Sequence, residues 1–196
     1  MKLTTALFAV LAMAPVAVFA ADSIPNGWIK AGSQPAEYEV GVDTATHHGG
    51  RASAYVKSTA KELHGFGTLM QTAGPGEYLG KRVRLSAFVK AENVGDWAGV
   101  WMRVDGTAEG SNQPPKMLAF DNMQSRPLKG TFDWKRVEIV LDVPKEAMDI
   151  AFGILLSNGG EVWLDDLKFE VVPMSVPVTG RAGQMTKAPT NLDFEQ

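Results

Sequence analysis

The chain has 196 residues, a net charge of −3 and no cysteine. The missing cysteine excludes disulfides, thiolate nucleophiles, cysteine-based zinc sites and a lipid-anchored lipoprotein. The near balance of 19 basic and 22 acidic residues lacks the basic excess of a nucleic-acid-binding surface.

The first segment has the pattern of an export leader. Lys2 supplies a positive start, Leu3 to Phe19 carry no charge, and Val18 and Ala20 are the small residues that precede a cleavage point. Cleavage between Ala20 and Ala21 is expected, with residues 1–20 as signal peptide and a periplasmic or secreted product. The rival, a membrane anchor, would need about 20 apolar residues. Pro15 interrupts a shorter run that ends at Asp22 and Ser23. No stable membrane anchor is expected, and the remainder is one domain's worth of chain, able to bury a core without staples.

From there the pattern has period two. Candidate strands run over Trp28–Ala31, Glu37–Val42, Ala52–Lys57 and Gly65–Thr72. Val83, Leu85, Ala87 and Val89 then alternate with Arg82, Arg84, Ser86, Phe88 and Lys90. Ala98, Val100, Met102 and Val104 alternate with Trp97, Gly99, Trp101 and Arg103. Met117–Asp121, Trp134–Val143, Ile150–Ser157 and Glu161–Val171 follow, and Pro144–Met148 is helix-like but short enough to be a single turn. Alternation places one set on a core and the other on an open sheet face. Turn chemistry separates the runs at His48-Gly49-Gly50, Gly74-Pro75-Gly76, Asn112-Gln113-Pro114-Pro115 and Asn158-Gly159-Gly160. About ten short strands of this kind predict an all-β fold, an antiparallel jelly-roll β-sandwich over residues 21–172.

Residues 173–190 are rich in Pro, Gly, Thr and Ser, and read as a linker or a surface strap. Apolar–acidic alternation resumes in residues 191–196, where a disordered end is the default for a terminus.

The open face is the place for a ligand. Trp97, Trp101 and Arg103 share one side of their strand, Arg84 lies on the wet side of its own, and Asp121 and Gln71 are expected nearby. Aromatic rings stack on the C–H faces of a sugar while polar groups bond its hydroxyls, so this set suits a carbohydrate or a small polar ligand. The competing reading has Trp101 covered by the loop from Gly106 to Pro115 and Arg103 paired with Asp121 as a structural contact. Catalysis has no nominee. His47, His48 and His64 are the three histidines, no Gly-x-Ser-x-Gly elbow is present, and Gly65-Phe66-Gly67 lacks the third glycine of a nucleotide loop.

Three stretches together resemble a known fold family. They are Ala119-Phe120-Asp121-Asn122-Met123, Thr131-Phe132-Asp133-Trp134, and Val162-Trp163-Leu164-Asp165-Asp166-Leu167-Lys168-Phe169-Glu170. The last is similar to the closing strand of galactose-binding-like jelly rolls, including family 4/9-type carbohydrate-binding modules. His48, Gly50 and Ser53 stand at the spacing of that family's His-x-Gly-x-x-Ser turn. The run Gly99–Gly106 with Ala119–Met123 also looks like an exported bacterial domain of the same fold, found alone or joined to enzymes and regulators.

The resemblance implies a structural calcium as cofactor, held by Asp165 first, then Asp166 and Glu195, with Asp43 as an outsider; calcium wants six to eight oxygens. Adjacent residues of a strand face opposite ways, so only one of Asp165 and Asp166 is expected to reach such a site. The family's opening Asn-x-x-Phe-Glu strand is missing from the start and stands instead at Asn191–Glu195, which suggests a tail that returns to the sandwich or pairs with a neighbour. The expected function is a non-catalytic binding module. A structural or protein-interaction domain using the tail strand is the alternative, and an enzyme accessory is the third. The sequence leaves the oligomeric state open.

Overall fold

The computed structural model describes residues 24–62, 64–107 and 115–182. Ten strands appear there: β1 Ile29–Gly32, β2 Tyr38–Asp43, β3 Ser53–Ser58, β4 Phe66–Ala73, β5 Lys81–Gly106, β6 Lys116–Asp121, β7 Leu128–Val143, β8 Ala147–Ser157, β9 Glu161–Val172 and β10 Arg181–Ala182. All their pairings are antiparallel. Residues 1–20, the expected leader, and the segment 191–196 lie outside the described residues.

β5 makes the sandwich. The sequence suggests two strands, 80–92 and 97–104, with a break between; the chain instead forms one strand of 26 residues. Its first part pairs β9 on one side and β7 on the other. Its second part pairs β8 and β6. The back layer therefore runs β2–β3–β9–β5–β7 and the front layer β1–β4–β8–β5–β6–β10.

The bend falls at Asn93, whose φ of 55° is left-handed, and the β5–β7 register shifts three times around it. Asn tolerates that conformation better than most residues. Gly160 makes the corner possible: its φ is 127°, and a Cβ there would sit 2.8 Å from Val94 Cα. Only glycine fits such an approach.

The core fills from both layers. Val83, Leu85, Ala87, Val89, Val100, Met102 and Val104 are all buried, as their alternation predicts. They meet Ile139 and Leu141 of β7, Ile154 and Leu156 of β8, and Val162 and Leu164 of β9.

Residues 173–182 lie as a strap along the molecule. Arg82 Nη1 donates to the carbonyls of Met174 and Val176, each at 2.6 Å. Thr179 N donates to Val140 O at 2.9 Å, and Val140 N donates to Thr179 Oγ1 at 2.9 Å. The strap thus runs beside the outer edge of β7 and then joins β6 as β10, pairing groups a sheet edge would leave open.

Candidate functional site

Trp97, Trp101 and Arg103 alternate with core residues of β5, so all three stand on the outward face of the front layer. Their cross-strand partners on β8 are Ser157, Gly153 and Ala151. Gly153 in turn faces Met70 of β4, and Leu155 faces Thr68. The register puts Phe66, Thr68 and Met70 on the same face. Phe120 of β6 joins from the other side, opposite Arg103.

These residues make a second apolar cluster, separate from the core. Trp101, Ala151 and Leu155 form its buried centre, and Phe66, Met70, Trp97 and Phe120 pack around it half-buried. Trp101 is 8% exposed. Its Nε1 donates to Thr68 Oγ1 at 2.8 Å, and that hydroxyl donates to Ile154 O at 2.8 Å. The indole therefore lies across the β8 backbone at Gly153, fixed at its polar end. It forms a rigid floor, and Trp97 is the indole with accessible surface.

Polar groups bound this floor at two ends. At one, Arg103 Nε donates to Asp105 Oδ2 at 2.6 Å, and Asp105 stands directly opposite Asp149. Burial and the neighbouring Asp105 raise the Asp149 carboxyl above its ordinary value, against the pull of Arg103. At the other end, Asp96 Oδ2 accepts from Ser157 Oγ at 2.6 Å and from Asn158 Nδ2 at 3.0 Å. The turn after β6 closes one flank: a Cβ on Gly99 would lie 2.7 Å from Asn122 O.

Three residues expected at this face are elsewhere. Arg84 faces outward from the back layer, 3.3 Å from Glu138 Oε2. Gln71 falls on the core-facing side of β4 with Leu69, at the rim, where its amide donates to Gly27 O at 3.2 Å. Asp121 sits opposite Met102, on the inward parity, and is 7% exposed. It meets Arg126 and Thr179 rather than Arg103, which is taken by Asp105. Asp105, Asp149, Thr68 and Phe66 went unnoticed in the sequence. For Phe66 and Thr68 the signal was there, since Leu69 fixes the core side of β4.

Asp165 and Asp166 both reach the His48 turn. Asp166 has φ 49° in a bulge where the β5–β9 register shifts, so strict alternation fails. Asp165 Oδ2 accepts from the backbone N–H of His48 at 2.8 Å and of Gly49 at 3.0 Å, and its Oδ1 accepts from Asp166 N at 2.7 Å. Asp166 Oδ2 is 2.7 Å from His48 Nδ1. The His48 ring also stacks on Phe88, with centroids 3.6 Å apart.

Asp43 is occupied too, accepting from Trp163 Nε1 at 2.9 Å and from the N–H of Ala45 and Thr46. Calcium needs several free carboxylate oxygens. Here the Asp165 oxygens are directed at N–H donors. Among the described residues no group of three or more His, Asp or Glu gathers to hold a metal. These residues do not fit a calcium cage by themselves, and Glu195 lies outside the described residues.

No protein-family model matches the chain. It is 44% identical over 174 residues to "Uncharacterized HTH-type transcriptional regulator YbfP" of Bacillus subtilis (strain 168). That match covers 87% of this chain and 57% of the regulator, so the chain spans little more than half the length of that relative. Among solved structures, a family 30 carbohydrate-binding module is similar with TM-score 0.55 and 17% identity, over 78% of this chain and 96% of that one.

The CBM22-1 and GH10 modules of Clostridium thermocellum xylanase 10B, complexed with xylohexaose, give 0.52 and 15% over 75% of this chain and 26% of that one. The CBM22-1 xylan-binding domain of Paenibacillus barcinonensis Xyn10C gives 0.50 and 13% over 78% of this chain and 89% of that one. At these identities the likeness is one of fold, and the fold of this chain is the β-sandwich of the carbohydrate-binding modules.

Proposed function

We propose that this protein is an exported, non-catalytic carbohydrate-binding domain, and that its ligand lies across the outward face of the front layer. The observation that carries this reading is the floor of Trp97 and Trp101, bounded by Arg103–Asp105–Asp149 at one end and Asp96–Ser157–Asn158 at the other. Trp97, half-buried beside the buried Trp101, offers indole surface to pyranose C–H groups. Carboxylates, guanidinium and amide around it match hydroxyl donors and acceptors. Thr68 fixes the Trp101 ring before any ligand arrives, which lowers the ordering cost of binding.

The test is titration of the protein with soluble oligosaccharides, xylohexaose among them, followed by Trp fluorescence. The reading expects a saturable shift that Trp97→Ala removes while the far-UV spectrum stays that of the folded protein. Equal affinity in wild type and Trp97→Ala would remove the site from this face.

The likeness to a protein named as a regulator favours a second reading, in which the sandwich senses its ligand on behalf of a partner. In that case binding of sugar would change the mass measured by light scattering.

A further inference from the structure

We propose that the C-terminal segment of this chain, Asn191–Glu195, docks in cis at one open end of the sandwich and seats Phe194 in an apolar cavity between the layers. The cavity has a volume of about 130 Å³ and is lined by Ala73, Gly74, Tyr78, Ile150, Phe152 and Phe169. Its wall is continuous with an aromatic row: Tyr78 and Phe169 are 5.8 Å apart, Phe169 and Phe152 4.8 Å, and Phe152 and Trp28 5.6 Å. Met148, Val171 and Leu79 lie at the same end, 61%, 49% and 41% exposed. An apolar end of this kind is costly to leave wet.

The position of the chain's last described strand says what covers it. Ala182 pairs with Ala119, Ala119 with Val104, and Val104 with Ile150, a lining residue of the cavity. Ala182 is therefore level with the cavity and three strand spacings from it, about 15 Å. β10 runs antiparallel to β6, so the chain leaves toward Lys116 and Gly106, and Gly106 pairs with Ala147 at the cavity's end of the sandwich. The residues from Ala182 to Leu192 can span about 33 Å when extended, about twice that straight separation, which leaves length for the turn around the end of the sandwich.

The segment also has the right chemistry. Phe194 is the sole aromatic residue after Phe169. An apolar cavity of about 150 Å³ admits a benzene ring, so this one suits a single phenyl group. Leu192, two residues earlier, falls on the same side of an extended segment and can cover Val171 or Met148.

Because the chain has no cysteine, a cross-link reads the docking directly. Gly74→Cys places a thiol at the cavity wall, where an added Cβ meets nothing within 4 Å. It is paired with Gln196→Cys, which keeps Phe194 and, two residues on, falls on the same side of the extended segment. The control pairs Gln196→Cys with Gly95→Cys, equally open and at the corner by Gly159, away from the cavity. Under mild oxidation the first pair is expected to close within one chain and the control to stay reduced. Phe194→Ala is expected to lower Tm by several degrees and to abolish the cross-link. Equal oxidation of both pairs, a disulfide joining two chains, or an unchanged Tm in Phe194→Ala would each overturn the proposal.

Discussion

Asp121 is the most heavily bonded carboxylate described at the closed edge of the sandwich, and replacing it should be costly. Its Oδ1 accepts from Met123 N at 2.8 Å and from Arg126 Nη1 at 3.1 Å. Its Oδ2 accepts from Arg126 Nη2 at 2.7 Å and from Thr179 Oγ1 at 2.6 Å. One side chain thus ties β6, the following turn and the strap together, and Arg126 carries the tie on to Glu138 O.

Asp121→Asn keeps the shape but removes the charge and turns one acceptor into a donor. Hydrogen bonds to a charged group are worth about 1.5–3 kcal/mol, and breaking a fully buried pair costs about 3–5 kcal/mol. Arg126 keeps 34% of its side chain exposed, which places the expected loss lower, at about 2–3 kcal/mol. In a domain of this size that lowers Tm by about 4–12 °C. Urea unfolding at pH 7 measures it, and a loss below about 0.5 kcal/mol would refute the clasp.

The same group fixes a pH dependence. Burial alone would raise the Asp121 carboxyl; the Arg126, Thr179 and Met123 donors outweigh it and hold the group below its ordinary value. Its contribution is then complete above about pH 3.9 and is lost as pH falls through the folded value. The gap between wild type and Asp121→Asn should narrow on acidification. A gap that widens would contradict the assignment.

Thr68→Val leaves Trp101 Nε1 without its acceptor in a buried place, at a cost of about 1–2 kcal/mol by urea unfolding. No measurable change would mean that another group holds the ring. Gly160→Ala drives a Cβ into the Val94 backbone at a left-handed φ, and should cost about 2 kcal/mol or more. A neutral result would show that the corner relaxes freely. Melting with and without a divalent-cation chelator should give identical curves, because the Asp165 oxygens already accept N–H donors. A lower Tm with chelator would place a metal there.

The sequence carried the layers well and their joins poorly. Val83, Leu85, Ala87 and Val89 declared the core side of β5 because they recur at every second position, with Arg82, Arg84, Ser86 and Lys90 between and beside them and Phe88 the one apolar interruption. Trp97, Trp101 and Arg103 shared a face for the same local reason. Asn93-Val94-Gly95 looked like a break between strands, yet the backbone stays extended there except at one left-handed residue, and pairing with β7 carries it round the corner.

Asp121 was misplaced because its partners, Arg126 and Thr179, come from a turn and from the strap, and no period links them. The Asp165-Asp166 pair defied alternation for a different reason. A bulge adds a residue that only the register with β5 reveals. Asp105 and Asp149 meet only through the β5–β8 register.

The most direct test of the account is calorimetric titration of the protein with xylohexaose and a panel of other soluble oligosaccharides, run in parallel on Trp97→Ala and on Arg84→Ala. The account predicts saturable heat with at least one sugar in wild type, its loss in Trp97→Ala, and full binding in Arg84→Ala, whose side chain lies on the back layer. Heat that survives Trp97→Ala and disappears in Arg84→Ala, or no heat with any sugar, would contradict it.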